Sequence, residues 1–588
     1  MTDGLRWLAG IGLALQVACG TAASGGSTAV PTDVAAGATD ASADAPDGDA
    51  VSGPVDPADA SGSDATVPDV PPRPAQCSDG EPIRAWQSAP QGTYRRGELA
   101  ADFSVDLLDG TTFTLSEAFS GCDSYAFVVD TIPVSDQDNT SIWGKTKDIV
   151  ALLKKSPPNV HWFFVSRMPS DKQAEASLTL MQERLIEAVG QLPPEQNEYW
   201  WPRLHVVAKR ANSLGGWLGQ VFKSHGVIGF GIDRTQRIRG FGMLADVTRF
   251  KSALQAAQKW PWEANLAYAA HEPLWWNMLA KQELRRAAGG GKRIDLWQGE
   301  VISEFAEVTV TLDSVGDLSQ YDTLEVDIDM QCPDPDKAEP GNCGAWDYIA
   351  SLSVYPKAGA ADPNARIEIL RAITTYHREA HWTVDATPLL AELAGGGKRR
   401  VRWEWAPPWN VQPTATRLSL RFLNKAKGLR PVSTQLLWTG GGFNSQYDAQ
   451  HPDRTVTIPQ GAKKVELWTI ITGHGSAQGT QCAEFCNHEH RFSIGSQSWV
   501  KDHPAAQNQQ GCMAEIGNGM TPNQGGTWWF GRGGWCPGQQ VDPWVADITA
   551  AAPPGSTQTI RYQGTLQGKT PPDGDANVHA SVYLVVYQ

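Results

Sequence analysis

Two carboxylates stand in short cysteine-bounded segments of this chain. Asp347 lies four residues after a cysteine in Cys343-Gly-Ala-Trp-Asp-Tyr-Ile-Ala350, and Glu484 is enclosed in Cys482-Ala-Glu-Phe-Cys486. Most carboxylates are solvated surface groups. One in a segment closed by paired cysteines has few backbone conformations left, which holds an acid or base at fixed geometry, as hydrolysis of an amide or glycoside requires. Closing so small a loop also restricts the unfolded chain, by about 2 kcal/mol in the entropy model. A third pattern is His488-Glu489-His490, which on a strand puts both rings on one face and offers a metal pair. No third ligand can be picked out of the sequence, so these histidines read as ordinary polar strand residues and no metal is expected.

Positioning such groups takes folded domains, and the 588 residues suffice for three or four. Residues 20–75 hold nine Asp, no Glu and one Arg. Of the net charge of −15, that segment carries −8 and the remainder −7. No basic stripe appears, so nucleic acid is not an expected partner. Of 24 Trp, 13 follow residue 290, and indole rings pack cores but also stack on sugar faces. Arg6 and the apolar run from Trp7 to Leu15 precede Gln16-Val-Ala-Cys19, too short a run to span a bilayer. This start resembles a bacterial lipoprotein signal, in which Cys19 is lipidated, so residues 1–19 are expected to be removed or anchored at an outer membrane or cell surface. Simple secretion is the alternative. Residues 20–75 contain no aromatic residue and are expected to be a disordered acidic linker. Without Cys19, eight cysteines remain, and their order suggests the local pairs Cys77–Cys122, Cys332–Cys343, Cys482–Cys486 and Cys512–Cys536. Eight cysteines allow 105 connectivities, so spacing does not prove this one. Disulfides agree with export.

The fold class expected is multidomain: an N-terminal thioredoxin-like α/β domain followed by two all-β sandwiches. Across 76–258 strands and helices alternate. Tyr125–Val129, Val160–Val165 and Leu204–Val207 read as strands, with helices near 142–154, 172–190 and 247–258. Hairpins are expected at 103–115 and at 227–242. The redox chemistry of a thioredoxin-like fold needs Cys-x-x-Cys after the first central strand, and that position reads Val129-Asp-Thr-Ile-Pro133. A docking or structural module is therefore expected, with 259–292 as a helical connector. From 293 on, short alternating strands recur, among them Val308–Leu312, Leu324–Ile328, Arg417–Phe422, Val465–Ile470 and Ala580–Tyr587, with frequent Gly and Pro. This is sandwich composition, divided here as 293–432 and 433–588.

Cys343-Gly-Ala-Trp-Asp-Tyr-Ile-Ala350, Arg402-Trp-Glu-Trp405, Cys482-Ala-Glu-Phe-Cys486 and Gly534-Trp-Cys-Pro-Gly538 together resemble the peptide-N-glycosidase F family of bacterial deglycosylating enzymes. The resemblance extends to Ile373-Thr-Thr-Tyr376, Thr472-Gly-His-Gly475 and Gly574-Asp-Ala576, in order over 293–588. It implies paired jelly rolls with the site between them and an amidase that converts glycosylated Asn to Asp, with no cofactor. It further implies Asp347 as the principal catalytic residue, with Glu484 and Glu404 as supporting carboxylates. Arg532, Trp535, Tyr348, Phe485, Trp405 and His474 are the substrate-binding candidates. The partner is an N-linked glycoprotein or glycopeptide, the membrane is met only through the lipid, and the protein is expected to be a monomer. Tyr348 stands where the family has Arg, Phe485 where it has Trp, and His474 where it has Trp, which points to an altered glycan preference. Two other readings compete: a non-catalytic glycan-binding lipoprotein, and a copper monooxygenase, which would need several His and a Met across both sandwiches.

Overall fold

Six consecutive buried residues, Ser124–Val129, make β1, a strand covered on both faces. It is the middle strand of a five-stranded sheet ordered β3-β2-β1-β4-β5, with β2 at Val160–Val165, β3 at Leu204–Val206, β4 at Gly229–Ile232 and β5 at Ile238–Gly240. β1, β2 and β3 run parallel, while β4 and β5 are antiparallel additions. The longer helices are α1 (Thr146–Lys155), α2 (Asp171–Val189), α3 (Gly216–Ser224) and α4 (His271–Ala287). Alternation along β1 divides the work: Ala126 and Val128 face α1, α2 and α4, and Tyr125, Phe127 and Val129 face α3. Ser170 caps α2 by accepting a hydrogen bond from the Gln173 N–H. Within the predicted connector, α4 occupies most of the described length.

The computed structural model describes residues 76–130, 142–143, 145–226, 228–249, 264–357, 362, 364–475 and 483–588. The predicted signal with Cys19, the linker 20–75, residues Thr131–Pro133 and Cys482 lie outside them. So does most of the helix expected near 247–258, of which the turn Val247–Arg249 is described.

The first sandwich contains β6 (Lys292–Ile302), β7 (Phe305–Thr311), β8 (Thr323–Gln331), β9 (Ile349–Val354), β10 (Ile367–Ile373), β11 (Ala380–Asp385), β12 (Lys398–Glu404) and β13 (Thr414–Leu423). Its sheets are ordered β11-β8-β13-β6 and β10-β9-β12-β7, all antiparallel. The second contains β14 (Pro431–Gly442), β15 (Arg454–Thr457), β16 (Lys464–His474), β17 (His488–Ile494), β18 (Gln497–Asp502), β19 (Trp544–Asp547), β20 (Thr557–Leu566) and β21 (Asn577–Tyr587). Its sheets are β14-β21-β16-β19 and β15-β20-β17-β18. Every expected β segment from 293 on lies on one of these strands, with ends shifted by a few residues, as sheet pairing extends strands beyond their clearest alternation.

Two junctions place the site. Edge strand β10 meets the second sandwich: Ile373 N–H donates to Gln539 O at 2.9 Å and Val541 N–H to Arg371 O at 2.8 Å. Ile373, Trp468, Ile470, Trp535 and Tyr583 share a core there. The other junction is the long β18–β19 connection, 503–543. Its Cys512, Ile516, Trp528, Trp529, Phe530 and Cys536 belong to the same apolar core as Trp143, Phe164 and Trp276 of the α/β unit. A buried charge network locks this contact, with Arg378 between Glu272 of α4 (2.8 Å) and Glu339 (2.9 Å). Asn523 of the 503–543 loop adds a 2.8 Å hydrogen bond to Glu272.

Candidate active site

Asp347 sits in the loop entering β9, and the loop is fixed on both sides of it by one residue. Thr374 Oγ1 accepts from Tyr348 N–H at 2.8 Å and donates to Trp346 O at 2.6 Å. His377 N–H bonds Gly344 O at 2.7 Å, and Ala345 N–H bonds the Gln412 side chain at 2.6 Å. The Cys332–Cys343 disulfide closes the segment from behind. Asp347 is therefore held by two neighbouring strand ends as well as by its cysteine.

Glu484 enters from the other sandwich, on the loop between β16 and β17. Its carbonyl accepts from Gly533 N–H at 2.6 Å, and Gly533 O accepts from Gly473 N–H at 2.7 Å. The approach is so close that a Cβ on Gly533 would lie 2.2 Å from Ala483 O, so glycine is required there. This knot sets Arg532 beside Glu484. Cys486 is disulfide-bonded, and its predicted partner Cys482 lies outside the described residues.

Arg532 joins the two carboxylates. Its Nη2 is 3.4 Å from Asp347 Oδ2, and its Nε is 3.2 Å from Glu484 Oε1, an ion pair outside hydrogen-bond alignment. The guanidinium is only 2 % exposed. It also donates to Thr527 O (3.2 Å), Thr527 Oγ1 (3.0 Å) and Phe530 O (3.1 Å). The rings of Phe485 and Trp535 lie against it, each 4.8 Å from its central carbon.

Burial pushes Glu484 up to about 7, with Asp347 adding repulsion and Arg532 opposing. Burial likewise raises Asp347, opposed by Arg532 and by a hydrogen bond with Tyr376. Burial works against the Arg532 charge, but the Tyr376, Glu484 and Asp347 oxygens more than offset it and hold it above its ordinary range. One guanidinium faces two partly desolvated carboxyls, so the pair keeps a proton toward neutral pH. Tyr376, whose hydroxyl burial and Asp347 push well up, joins the site from the segment Ile373-Thr-Thr-Tyr376, whose sequence assigns it no role. Its backbone is fixed by Gln524 (2.9 Å) and Gly525 (3.0 Å) of the 503–543 loop.

The other expected residues divide. Tyr348 lies at the surface, bonded to Asn410 at 2.6 Å and edge-on to Trp409, which is 78 % exposed. His474 bonds Thr472 at 2.9 Å and stacks on Trp535 at 5.1 Å. Trp535 is buried, donating to Gly473 O at 2.7 Å, and it and Phe485 serve to hold Arg532. Trp405, expected to bind substrate, is instead a core residue: strand alternation puts its ring inside with Trp403, and its indole N–H bonds Gln412 O at 3.0 Å. Glu404 lies on the opposite face of β12, paired with Arg402 (2.5 Å) and Arg366 (3.1 Å). Among the described residues no ion pair joins it to Asp347 or Arg532. Cys77–Cys122 and Cys512–Cys536 are disulfides, and the latter spans the loop that carries Arg532.

Residues 442–587 match the family model described as "Peptide-N-glycosidase F, C terminal". A curated relative, peptide-N(4)-(N-acetyl-beta-D-glucosaminyl)asparagine amidase F of Elizabethkingia miricola, is 24% identical over 310 residues, 49% of this chain and 79% of the relative. Among solved structures, PNGase F from Flavobacterium meningosepticum, titled a glycosylasparaginase, is 20% identical over 51% of this chain and 96% of its own, with a TM-score of 0.40. PNGF-II is 13% identical over 52% and 67%, with a TM-score of 0.39. The match of residues 442–587 makes the second sandwich similar to the C-terminal domain of the peptide-N-glycosidase F family.

Proposed function

We propose that this protein is an amidase that hydrolyses the side-chain amide joining an N-linked glycan to Asn of a glycoprotein or glycopeptide. The observation that carries this is the meeting of Asp347 and Glu484, from different sandwiches, on the one buried guanidinium of Arg532. The curated relative's name supports the substrate class. In this reading Asp347 takes a proton from water as the water oxygen attacks the amide carbon. Arg532 and the Tyr376 hydroxyl face the negative charge that develops on the carbonyl oxygen. The C–N bond breaks, and the proton retained by the carboxyl pair passes to the leaving nitrogen, with Glu484 as its donor. The products are Asp on the peptide and a glycosylamine, which loses ammonia in water.

The exposed Tyr348–Trp409 edge supports a stacking contact to sugar or peptide outside the reacting centre. We further read the α/β unit as a thioredoxin-like scaffold without redox chemistry: its strand order and direction support this, and Cys122 is occupied by Cys77. Export with a lipid on Cys19, and a monomeric protein, complete the proposal.

The test is incubation of purified protein with an N-glycopeptide and mass analysis of the peptide. Conversion of the glycan-bearing Asn to Asp is expected for wild type, and a fall of about 10³-fold or more in kcat for Asp347→Asn. Glu404→Gln, whose carboxylate is spent on Arg402 and Arg366, should retain most of kcat. Binding of the intact glycopeptide without conversion would favour the glycan-binding reading instead.

A further inference from the structure

We propose that His488, His490 and His503 form a three-imidazole site for a divalent transition-metal ion, set behind the loop that carries Glu484. The three side chains are buried, and one nitrogen from each lies within 4.8 Å of the others. His488 and His490 lie on one face of β17, as their spacing requires, and His503 follows β18, which pairs with β17. The third ligand thus comes through sheet pairing, invisible in sequence.

The nitrogens are not all satisfied within the protein. His503 Nε2 is buried without a hydrogen-bond partner, while His488 also meets the Ala483 carbonyl. A buried imidazole nitrogen left unpaired is costly, so the one on His503 asks for a ligand. His488 Nδ1 and His490 Nε2 lie 2.7 Å apart. Tetrahedral zinc with bonds of about 2.0–2.1 Å separates its ligand nitrogens by about 3.3 Å, so the pair would open by roughly half an ångström to admit the ion. His503 Nε2 would supply the third bond. The outer shell is already in place: His490 Nδ1 is 2.8 Å from the Tyr562 hydroxyl, which meets Tyr447 at 2.7 Å. A pure imidazole set suits zinc and its first-row neighbours and not the oxygen-seeking magnesium or calcium.

The location gives the ion its work. His488 Nε2 lies where a Cβ on Gly533 would reach it at 2.5 Å, and the ring of His503 where a Cβ on Gly534 would reach it at 2.7 Å. Both glycines directly follow Arg532. A metal here would clamp the Ala483–Glu484 loop and the Arg532–Gly534 turn from behind without touching substrate.

The test uses the tag-free full chain. After chelator treatment and desalting, zinc is added and the protein passed through gel filtration for metal analysis, while Tm is recorded with and without zinc. About one bound equivalent and a raised Tm are expected, and cobalt(II) in place of zinc should give visible bands of four-coordinate intensity. His503→Gln should lower occupancy by about tenfold or more. Wild-type protein that retains no zinc, shows no cobalt bands and keeps the same Tm would overturn the proposal, whether or not His503→Gln folds. Glycopeptide cleavage is not among these readouts, so the metal site and the amidase reading can fail separately.

Discussion

Arg532 is the residue on which the two sandwiches and the long loop converge, and its shape is part of its function. Lysine offers one point charge, whereas Arg532 uses separate nitrogens toward Asp347 and Glu484 and two faces toward Phe485 and Trp535. Arg532→Lys is therefore expected to lower kcat by about 10²-fold with folding retained, read by glycopeptide turnover beside circular dichroism. Glu484 makes a pH prediction. Its folded pKa of about 7 stands above its ordinary value of 4.5, so the native state holds this proton more tightly than the unfolded chain. That contribution, roughly 3 kcal/mol, is present in full below about pH 4.5 and is lost as pH rises through about 7. Glu484→Gln removes the loss, so its Tm should decline less than that of wild type between pH 4.5 and 8, and an unaltered pH profile would refute the assignment. At this scale the framed carboxylates were legible because their neighbours in sequence are also their neighbours in space. Tyr376 and His503 were not, because the first is brought to Asp347 by Gln524 and the second to His488 by strand pairing.

The strands were legible wherever one face met a core and the other met water, since alternation then writes itself into the sequence. β7 shows this: Val308 and Val310 pack on the core of the first sandwich while Thr309 and Thr311 face out. Alternation also corrects Trp405: read as a motif with Glu404 it suggested substrate, but period two sends Trp403 and Trp405 inward together and Glu404 out. What alternation could not show is the role of the 503–543 loop, which has little regular structure and gains its form from the α/β unit. Trp528 and Trp529 are buried against that unit, and Trp529→Ala is expected to cost about 3–5 kcal/mol, measured by chemical unfolding. A chain beginning at residue 293 would uncover these rings. It should lose glycopeptide cleavage by about tenfold or more, because displacing Arg532 by even 1 Å removes the productive geometry. Full activity in that fragment would show that the α/β unit has no part in building the site.

Over the whole molecule, charge and cysteine usage point the same way. Just over half of the acidic excess sits before residue 76, the remainder carries no basic stripe in its sequence, and among the described residues no helix is long and apolar enough to cross a membrane. Disulfides between described residues brace separate places: the start of the α/β unit, the Asp347 loop and the Arg532 loop. The shared core of Trp143, Trp276 and Trp528 also sets a timetable. The α/β unit is synthesised first, yet one of its apolar faces waits more than two hundred residues for the segment around Cys512–Cys536 that covers it. Such distant contacts are slow to form and leave sticky surface in the meantime. The nascent protein therefore depends on being kept from aggregation until that segment emerges, and the centre holding Asp347, Glu484 and Arg532 is assembled only after it. A chain interrupted before it would be both inactive and exposed, which couples the appearance of the proposed activity to the synthesis of the loop that carries Arg532.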